Sequence, residues 1–200
     1  MSVDVRDSGE VGLRERKKVQ TRRALHRSAV ELVAERGLAQ STVEDIAEAA
    51  GVSTRTFFNY FPTKESAVLG IHPEEADDVA GRLRDRPAEE TPTEAVRGCL
   101  REYAERLAAD KGLWRLRRSI VLRDPSMFAA LASATTAVER AVAVALAERM
   151  GVDAAEDIRP MLLTSVTWAA IKVGLSHSRE HNLEVSEALD DALTLLDETH

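Results

Sequence analysis

The chain has 200 residues, and 27 Lys or Arg against 34 Asp or Glu give it a formal net charge of −7. A chain of this length can bury a sizeable core without disulfides, and its single cysteine, Cys99, excludes an internal disulfide framework and any multi-cysteine metal site. The polar N-terminus predicts no secretory signal, and uncharged runs of at most 14 residues are too short to span a bilayer, so we expect a soluble, intracellular protein.

Apolar residues recur at helical spacing throughout the chain, and no run of alternating β-branched residues predicts a strand. The predicted helices span residues 15–36, 43–50, 54–60, a short segment after Thr63, 92–109, 112–123, 125–150, 156–182 and 184–198. Ser41 and Thr42, which precede Glu44 and Asp45, predict a capping box at the start of the second helix. Ser53 and Thr63 are the predicted N-caps of the third and fourth helices, and Gly37 and Gly51 end the first and second.

The charge is unevenly distributed along these elements. Residues 1–65 carry +1 and residues 66–200 carry −8, and within the first part residues 14–27 alone carry +6. Such an asymmetry requires an explanation, although a basic cluster can also be no more than a solvated helix face. The basic stretch gains a functional meaning only if a recognition element follows it.

The second and third helices give the sharpest functional signal. They are short and are joined by four residues, 50–53, that include Gly51, which is the arrangement of a helix-turn-helix whose second helix lies in the DNA major groove. Packing of their apolar residues leaves an outward-facing polar set: Ser53, Thr54, Arg55, Thr56 and Asn59. Two short helices with a glycine turn also occur in many all-α proteins, so the spacing alone leaves both interpretations open.

Residues 42–68, TVEDIAEAAGVSTRTFFNYFPTKESAV, resemble the N-terminal helix-turn-helix of the TetR/AcrR family of transcriptional regulators. The preceding segment ELVAERGLAQS is similar to the end of that family's first helix, so the resemblance covers about residues 20–68. It implies a homodimer that binds a palindromic double-stranded DNA operator, usually as a repressor. It also implies a C-terminal domain that dimerises and binds a small-molecule effector, which releases the DNA.

The resemblance also implies which side chains contact DNA. The implied contacts are Thr42 to phosphate, the groove-facing Ser53, Thr54, Arg55, Thr56 and Asn59, and Tyr60 and Lys64 to flanking phosphates. Phe58 departs from the family, because many members carry a DNA-contacting Tyr there, so that contact is lost or the ring only packs. The basic stretch 14–27 would add backbone contacts, each of which steepens the salt dependence of log K by roughly 0.9.

Together, these observations predict an all-α fold of about nine helices. Residues 14–65 form a three-helix, helix-turn-helix DNA-binding domain. Residues 66–200 are expected to form a helical domain, to which the resemblance assigns ligand binding and dimerisation, and residues 1–13 are expected to form a disordered N-terminal arm.

Family analogy places the ligand among the helices predicted at 92–109, 112–123, 125–150 and 156–182. The candidate lining residues are Cys99, Tyr103, Leu107, Trp114, Ile120, Met127, Phe128, Leu131, Thr164 and Trp168. Met and aromatic residues at this spacing more often belong to a core, so both readings stand. Arg117, Arg118 and Arg123 are expected to be solvated, and no charged cluster marks an anionic head group, so we expect an apolar or amphipathic ligand.

The last two helices are the expected dimer interface, again by analogy. The apolar residues offered for it are Trp168, Ile171, Val173 and Leu175 on one helix and Leu189, Leu193 and Leu196 on the other. Two such helices from each protomer would form a four-helix, isologous interface. The alternative is that they close the core of each protomer.

An enzyme reading rests on residues 177–181, HSREH, which match the H-x-x-E-H zinc pattern. No third ligand follows, and the helix dipole alone favours His at the end of a helix. Cys99 lies in no nucleophile motif. The sequence therefore predicts a cytoplasmic regulator with no enzyme activity, metal or cofactor, and the alternative is an all-α small-molecule or metal-binding protein with zinc chemistry at this segment.

Overall fold

The computed structural model describes residues 6–198, and these form ten α-helices and no strand. The helices are α1 (Arg6–Arg36), α2 (Val43–Ala49), α3 (Thr54–Phe58), α4 (Lys64–Leu69), α5 (Glu75–Arg84), α6 (Pro92–Ala108), α7 (Lys111–Arg123), α8 (Pro125–Met150), α9 (Arg159–His181) and α10 (Val185–Glu198). The all-α prediction is confirmed, with one helix more than the nine expected.

Helix α1 begins earlier than the sequence predicted. Residues 6–13, assigned to a disordered arm, continue the helix that we expected to start at residue 15, while residues 1–5 of that arm lie outside the described residues. Adding residues to an existing helix costs far less free energy than nucleating a new one, so the longer helix is favoured. Its end agrees with the prediction, because Gly37 follows Arg36 with a φ of 84°.

The three short helices that follow are held by the caps that the sequence predicted. Thr42 and Asp45 form a capping box, in which the Asp45 amide donates to Thr42 Oγ1 (3.1 Å) and the Thr42 amide donates to Asp45 Oδ2 (3.1 Å). At α4, Thr63 and Ser66 form the same reciprocal box, and at α3 the Ser53 side chain accepts the Thr56 amide hydrogen. Helices this short are marginally stable in isolation. Each cap stabilises its helix by about 1 kcal/mol, which is a large share of the stability of so short a helix.

Helix α5 is absent from the helices predicted from the sequence, and it begins two residues after Pro73. Acidic residues occupy its first turn and basic residues its last, which complements the helix dipole. Val79, Ala80 and Leu83 form its buried face. The i, i+4 spacing of Val79 and Leu83 was therefore the available signal.

Contacts group the chain into two compact units. The N-terminal unit contains the described residues up to Pro73 together with Arg115–Leu131, and the C-terminal unit contains Glu74–Trp114 and the described residues from Ala132 onward. The predicted boundary lay after residue 65, but α4 stays with the N-terminal unit because its apolar side chains are buried there. The α7 and α8 residues in this unit were expected in the C-terminal domain.

Each unit has its own core. In the N-terminal unit the largest fully buried side chains are Leu25, Val30, Ile46, Phe57, Phe61, Leu69 and Met127. In the C-terminal unit they are Leu83, Leu100, Leu146, Ile171 and Leu189, from α5, α6, α8, α9 and α10. On α1, the helically spaced Leu25, Ala29 and Val33 are buried, and Leu32 of the same stripe is half-buried.

Gly174 brings α9 and α10 close together in the C-terminal unit. A Cβ atom at this position would lie 2.7 Å from the Ala188 carbonyl oxygen and 3.2 Å from Ala192 Cβ. A side chain here would therefore force the two helices apart, since real Cβ atoms do not approach a backbone oxygen that closely.

Helix α8 is the one helix among the described residues that is long and apolar enough to cross a bilayer. The sequence predicted no membrane-spanning helix here, because Glu139 and Arg140 end the uncharged run of 14 residues. A single such helix is weak evidence for a membrane span, because core helices of soluble proteins share this length and composition.

Candidate functional site

The α2–turn–α3 pair is built on a left-handed turn and a shared apolar contact surface. Gly51 has a φ of 69°, a conformation that glycine adopts at no steric cost, and the Val52 amide returns to donate to the Ala47 carbonyl (2.9 Å). Ile46 of α2 and Phe57 of α3 are fully buried. The turn therefore fixes α3 relative to α2, which is what a helix-turn-helix requires.

The predicted groove-facing set divides into residues that are exposed and residues that hold the helix. Arg55 and Asn59 are exposed, as is Ser53, whereas Thr54 and Thr56 are half-buried. Ser53 Oγ accepts the Thr56 amide hydrogen (3.1 Å) and lies 2.8 Å from Thr56 Oγ1. The two hydroxyls thus stabilise the start of α3, and Arg55 and Asn59 supply its outward hydrogen-bonding groups.

Phe58 is an exposed aromatic side chain on this same short helix. It is 54% exposed, and its ring meets the Phe57 ring edge-on with centroids 5.5 Å apart. The ring therefore packs partly against Phe57 and partly faces solvent, at the position where the family resemblance led us to consider a lost hydroxyl contact.

Lys64 has a structural role that its sequence position did not reveal. Its Nζ donates to the Leu38 carbonyl (2.7 Å) and to the Ser41 carbonyl (3.1 Å), so it ties α4 to the loop before α2. Two of the three ammonium hydrogens are used in this way. Thr42 lies in the capping box at the end of the same loop, and Tyr60 is half-buried just after α3.

The basic stretch of α1 is a largely exposed cationic surface. Arg16, Lys17, Lys18, Arg23 and Arg27 are exposed and Arg22 is half-buried. Arg27 lies 3.8 Å from Glu31, one turn further on. Exposed cations in this number attract a polyanion in a salt-dependent way.

Two hydrogen bonds, one partly buried and one buried, anchor the end of α4. His26 Nδ1 lies 2.8 Å from the Ala67 carbonyl oxygen, and Arg117 Nη1 donates to the Leu69 carbonyl (2.7 Å). The prediction that Arg117 is solvated was wrong, because this residue is only 7% exposed and caps a helix C-terminus. Sequence reading missed the contact because the partner is a backbone carbonyl 48 residues away.

Six of the ten predicted ligand-lining residues belong to the C-terminal unit. Cys99, Tyr103, Thr164 and Trp168 are buried, and Leu107 and Trp114 pack against the same core. The Tyr103 and Trp168 rings stack with centroids 5.9 Å apart, and the Arg106 guanidinium lies 5.8 Å from the Tyr103 centroid. Arg106, three residues after Tyr103 on α6, was not among the sequence candidates.

The other four predicted lining residues belong to the N-terminal unit. Ile120 and Met127 are buried there and Leu131 is half-buried, whereas Phe128 is 64% exposed. Helical spacing on α7 and α8 could not indicate to which unit each turn belongs.

The Cys99 side chain is a poor nucleophile. Burial raises the pKa of its thiol to about 11, and Sγ donates weakly to the Val79 carbonyl (3.5 Å). A thiol with so little thiolate at neutral pH is inert.

The HSREH segment forms the end of α9. The His177 and His181 rings are exposed with centroids 4.3 Å apart, and Glu180 accepts hydrogen bonds from Ser176 and Arg179. Among the described residues, no group of three or more His, Cys, Asp or Glu side chains is placed to hold a metal ion.

Most residues predicted for the dimer interface lie inside the protomer. Trp168, Ile171, Leu175, Leu189 and Leu193 are buried in the C-terminal core, so the α9–α10 pair closes that core. Among the described residues, the large apolar side chains that are exposed on these helices are Met161, Leu162, Val173 and Leu195. A groove of about 440 Å³ runs along this face, lined by Val173, Gly174, His177, Ala188, Ala192 and Leu195 among others.

Comparison with known proteins places this architecture in one family. Residues 25–69 match the bacterial regulatory proteins of the tetR family, and residues 90–200 match the MftR C-terminal domain. The chain is 36% identical to the HTH-type transcriptional regulator TcmR of Streptomyces glaucescens over 90% of this chain and 80% of TcmR. It is 30% identical to the regulator EthR of Mycobacterium tuberculosis over 46% of this chain and 44% of EthR.

A solved structure has the same fold. The crystal structure of a TetR transcriptional regulator from Rhodococcus sp. RHA1 matches with a TM-score of 0.50 and 21% identity, over 88% of this chain and 93% of that one. The chain belongs to the TetR family. The prediction of a DNA-binding, ligand-responsive transcriptional regulator is thereby confirmed at the level of the family.

Proposed function

We propose that this chain is a cytoplasmic, homodimeric repressor that binds a palindromic operator and leaves it when a small apolar or amphipathic ligand binds. The observation that carries the proposal is the exposure of Arg55 and Asn59 on a helix fixed by a glycine turn and a shared core. Arg and Asn are the side chains that read guanine and adenine edges by paired hydrogen bonds.

The remaining DNA contacts would position the protein on the DNA rather than read its sequence. Hydroxyls and a lysine bind phosphate, and phosphate contacts fix orientation. The proposed positioning set is Thr42, Ser53, Thr54, Thr56, Tyr60 and Lys64. Lys64 would contribute chiefly by holding the loop before α2, because its carbonyl bonds leave one ammonium hydrogen for phosphate. The exposed cations of α1 would add affinity that is independent of sequence.

The proposed ligand site lies in the C-terminal unit, around Tyr103 and Trp168. Its support is a core that combines stacked aromatic rings with buried polar groups, which is the composition of small-ligand sites. The described core residues contain no excess of buried charge that would require a strongly ionic ligand. An apolar or amphipathic effector therefore fits best.

The proposed dimer interface is the groove face of α9 and α10. Val173 and Leu195 are large apolar side chains left exposed there, next to the close approach at Gly174. A two-fold interface would bury this face on both protomers and place the two α3 helices on related half-sites.

Catalysis is not part of the proposal. The relatives are transcriptional regulators, and the one enzyme-like segment lacks a third metal ligand among the described side chains.

The proposal is tested by selecting bound sequences from a random DNA pool and measuring operator affinity by fluorescence anisotropy. We expect two related half-sites about one helical turn or a multiple apart. Arg55→Ala should weaken binding by roughly 5- to 150-fold, the equivalent of about 1–3 kcal/mol for one lost base contact.

Arg140→Ala is the matched control, because Arg140 is an exposed arginine on α8 in the other unit. It should bind the operator as wild type does. If Arg55→Ala also binds as wild type, or if no sequence is enriched, the proposed recognition is wrong.

A further inference from the structure

The indole N–H of Trp168 has no hydrogen-bond acceptor inside the C-terminal core. The side chain is 6% exposed and its Nε1 atom is buried, yet no acceptor among the described residues lies within hydrogen-bond distance. More than nine in ten buried polar groups are paired, so an unpaired donor of this kind requires an explanation. Leaving it unpaired destabilises the fold, and a partner that supplies the acceptor would recover that loss.

The neighbouring polar groups do not fill this role. Thr164, one turn earlier on α9, is fully buried, and its hydroxyl donates to the Pro160 carbonyl (2.8 Å) and does not accept from Trp168 Nε1. The Trp168 ring stacks on Tyr103, whose ring is also approached by the Arg106 guanidinium. The donor therefore belongs to a ring stacked on Tyr103, and apolar Leu107 and Leu163 pack against the same core.

We propose that Trp168 Nε1 donates a hydrogen bond to the ligand of this regulator, and that the ligand is an apolar ring compound that carries a carbonyl oxygen. The inference rests on the proposed function in one respect, namely that the C-terminal unit binds the effector. A carbonyl needs one donor and is only weakly hydrated, so a single indole N–H satisfies it. A carboxylate loses far more hydration on burial than one neutral donor returns.

Three probes of matched shape test the chemistry on the full-length protein without DNA: fluorene, 9-fluorenone and fluorene-9-carboxylate. Equilibrium dialysis gives the three affinities directly. We expect fluorenone to bind about tenfold more tightly than fluorene, the upper end of what one neutral hydrogen bond contributes, and the carboxylate to bind no better than fluorene.

Two variants assign that preference to the indole nitrogen. Trp168→Phe keeps an aromatic ring and removes the donor, so the ketone preference should fall to about twofold or less while fluorene affinity changes little. Thr136→Ala removes an exposed hydroxyl of α8 that is not among the proposed ligand-site residues and keeps the Trp168 N–H, so the tenfold preference should remain. Circular dichroism verifies that both variants are folded, and the wild-type comparison stands even if one of them is not.

Four outcomes overturn the inference: equal affinity for ketone and hydrocarbon, a ketone preference that survives in Trp168→Phe, a tighter carboxylate, or no binding of any probe. Equal affinity would mean that a buried water satisfies the N–H. Operator release is measured separately. A ketone that binds through Trp168 but leaves DNA bound would contradict the proposed release mechanism and leave this inference intact.

Discussion

The two units of this protein differ in where the polar groups proposed for binding lie, at the surface in one and inside the core in the other. In the N-terminal unit the hydroxyls of Thr42, Ser53 and Thr63 cap short helices at the surface, and Arg55 and Asn59 are exposed. In the C-terminal unit, Thr164, Thr167, Ser178 and the Trp168 N–H are buried within a helical core. The first arrangement suits a partner that binds the outside of the protein, and the second suits a ligand that enters it.

The two units also differ in how far apart in the sequence the contacting residues lie. Each cap in the N-terminal unit joins residues three apart in the sequence, so the pattern is visible in the sequence itself. The stack of Tyr103 on Trp168 joins two helices that lie far apart along the chain. Changes in the two units should therefore separate DNA binding from ligand binding.

The largest effect is expected for Phe57→Ala. Phe57 is fully buried between Phe58 and Phe61, and removing a buried Phe side chain costs about 3–5 kcal/mol of unfolding free energy. Operator binding should be lost, while probe binding by the C-terminal unit persists. Urea unfolding monitored by circular dichroism checks the first effect and equilibrium dialysis the second.

Phe58→Ala is the control for this variant, because the adjacent ring is mostly exposed. Its unfolding free energy should stay within about 0.5 kcal/mol of wild type. Equal losses in the two variants would contradict the assignment of Phe57 to the core.

An intermediate effect is expected for Gly174→Ala. The new Cβ would lie 2.7 Å from the Ala188 carbonyl oxygen, so α9 and α10 must separate, at a cost of about 1–3 kcal/mol in unfolding free energy. Thermal unfolding measures the loss, and sedimentation of the same variant reports whether the proposed dimer weakens with it.

Gly81→Ala, in α5 of the same unit, should have the opposite sign. No atom lies within 4 Å of a Cβ at that position, and Ala is the better helix former, so we expect a gain of about 0.5–1 kcal/mol. If both substitutions stabilise the protein, the assignment of a close contact between α9 and α10 at Gly174 is wrong.

The smallest effect concerns acid stability of the C-terminal unit. Arg86 donates to both oxygens of Glu90 (2.6 and 2.8 Å), and these bonds hold the pKa of the Glu90 carboxyl below its ordinary value of 4.5. The unfolded chain therefore binds the proton more tightly, so this contribution to stability is present above pH 4.5 and is lost as the pH falls through the lower folded value.

Glu90→Gln should accordingly lose less stability than wild type between pH 7 and pH 3, as measured by urea unfolding at each pH. Glu89→Gln removes a neighbouring exposed carboxyl and should retain the wild-type pH dependence. The same pH dependence in wild type and Glu90→Gln would rule out a contribution from the Arg86–Glu90 pair.

The sequence predicted the helix-turn-helix closely, because its signals are local: a cap at Ser41 or Thr42, caps at Ser53 and Thr63, and Gly51 in the turn. It missed α5, whose start after Pro73 resembles an interruption, and it extended the C-terminal domain over α7 residues that the structure groups with the N-terminal unit. It also misplaced Arg117, whose partner is a carbonyl of a distant helix. A hydrogen bond to a backbone carbonyl of a distant helix leaves no pattern in the local sequence.

By itself, the sequence determined the all-α class, the family, the DNA-binding helix pair and the basic first helix, since short-range spacing and charge are properties of the chain alone. Only the tertiary structure decided that Lys64 is bonded to two loop carbonyls and that most of the apolar α9–α10 residues close the protomer's own core. The tertiary structure also decided that Val173 is exposed and that the Trp168 N–H has no acceptor. Burial and hydrogen-bond pairing depend on which distant helices meet, and this is fixed only when the core packs.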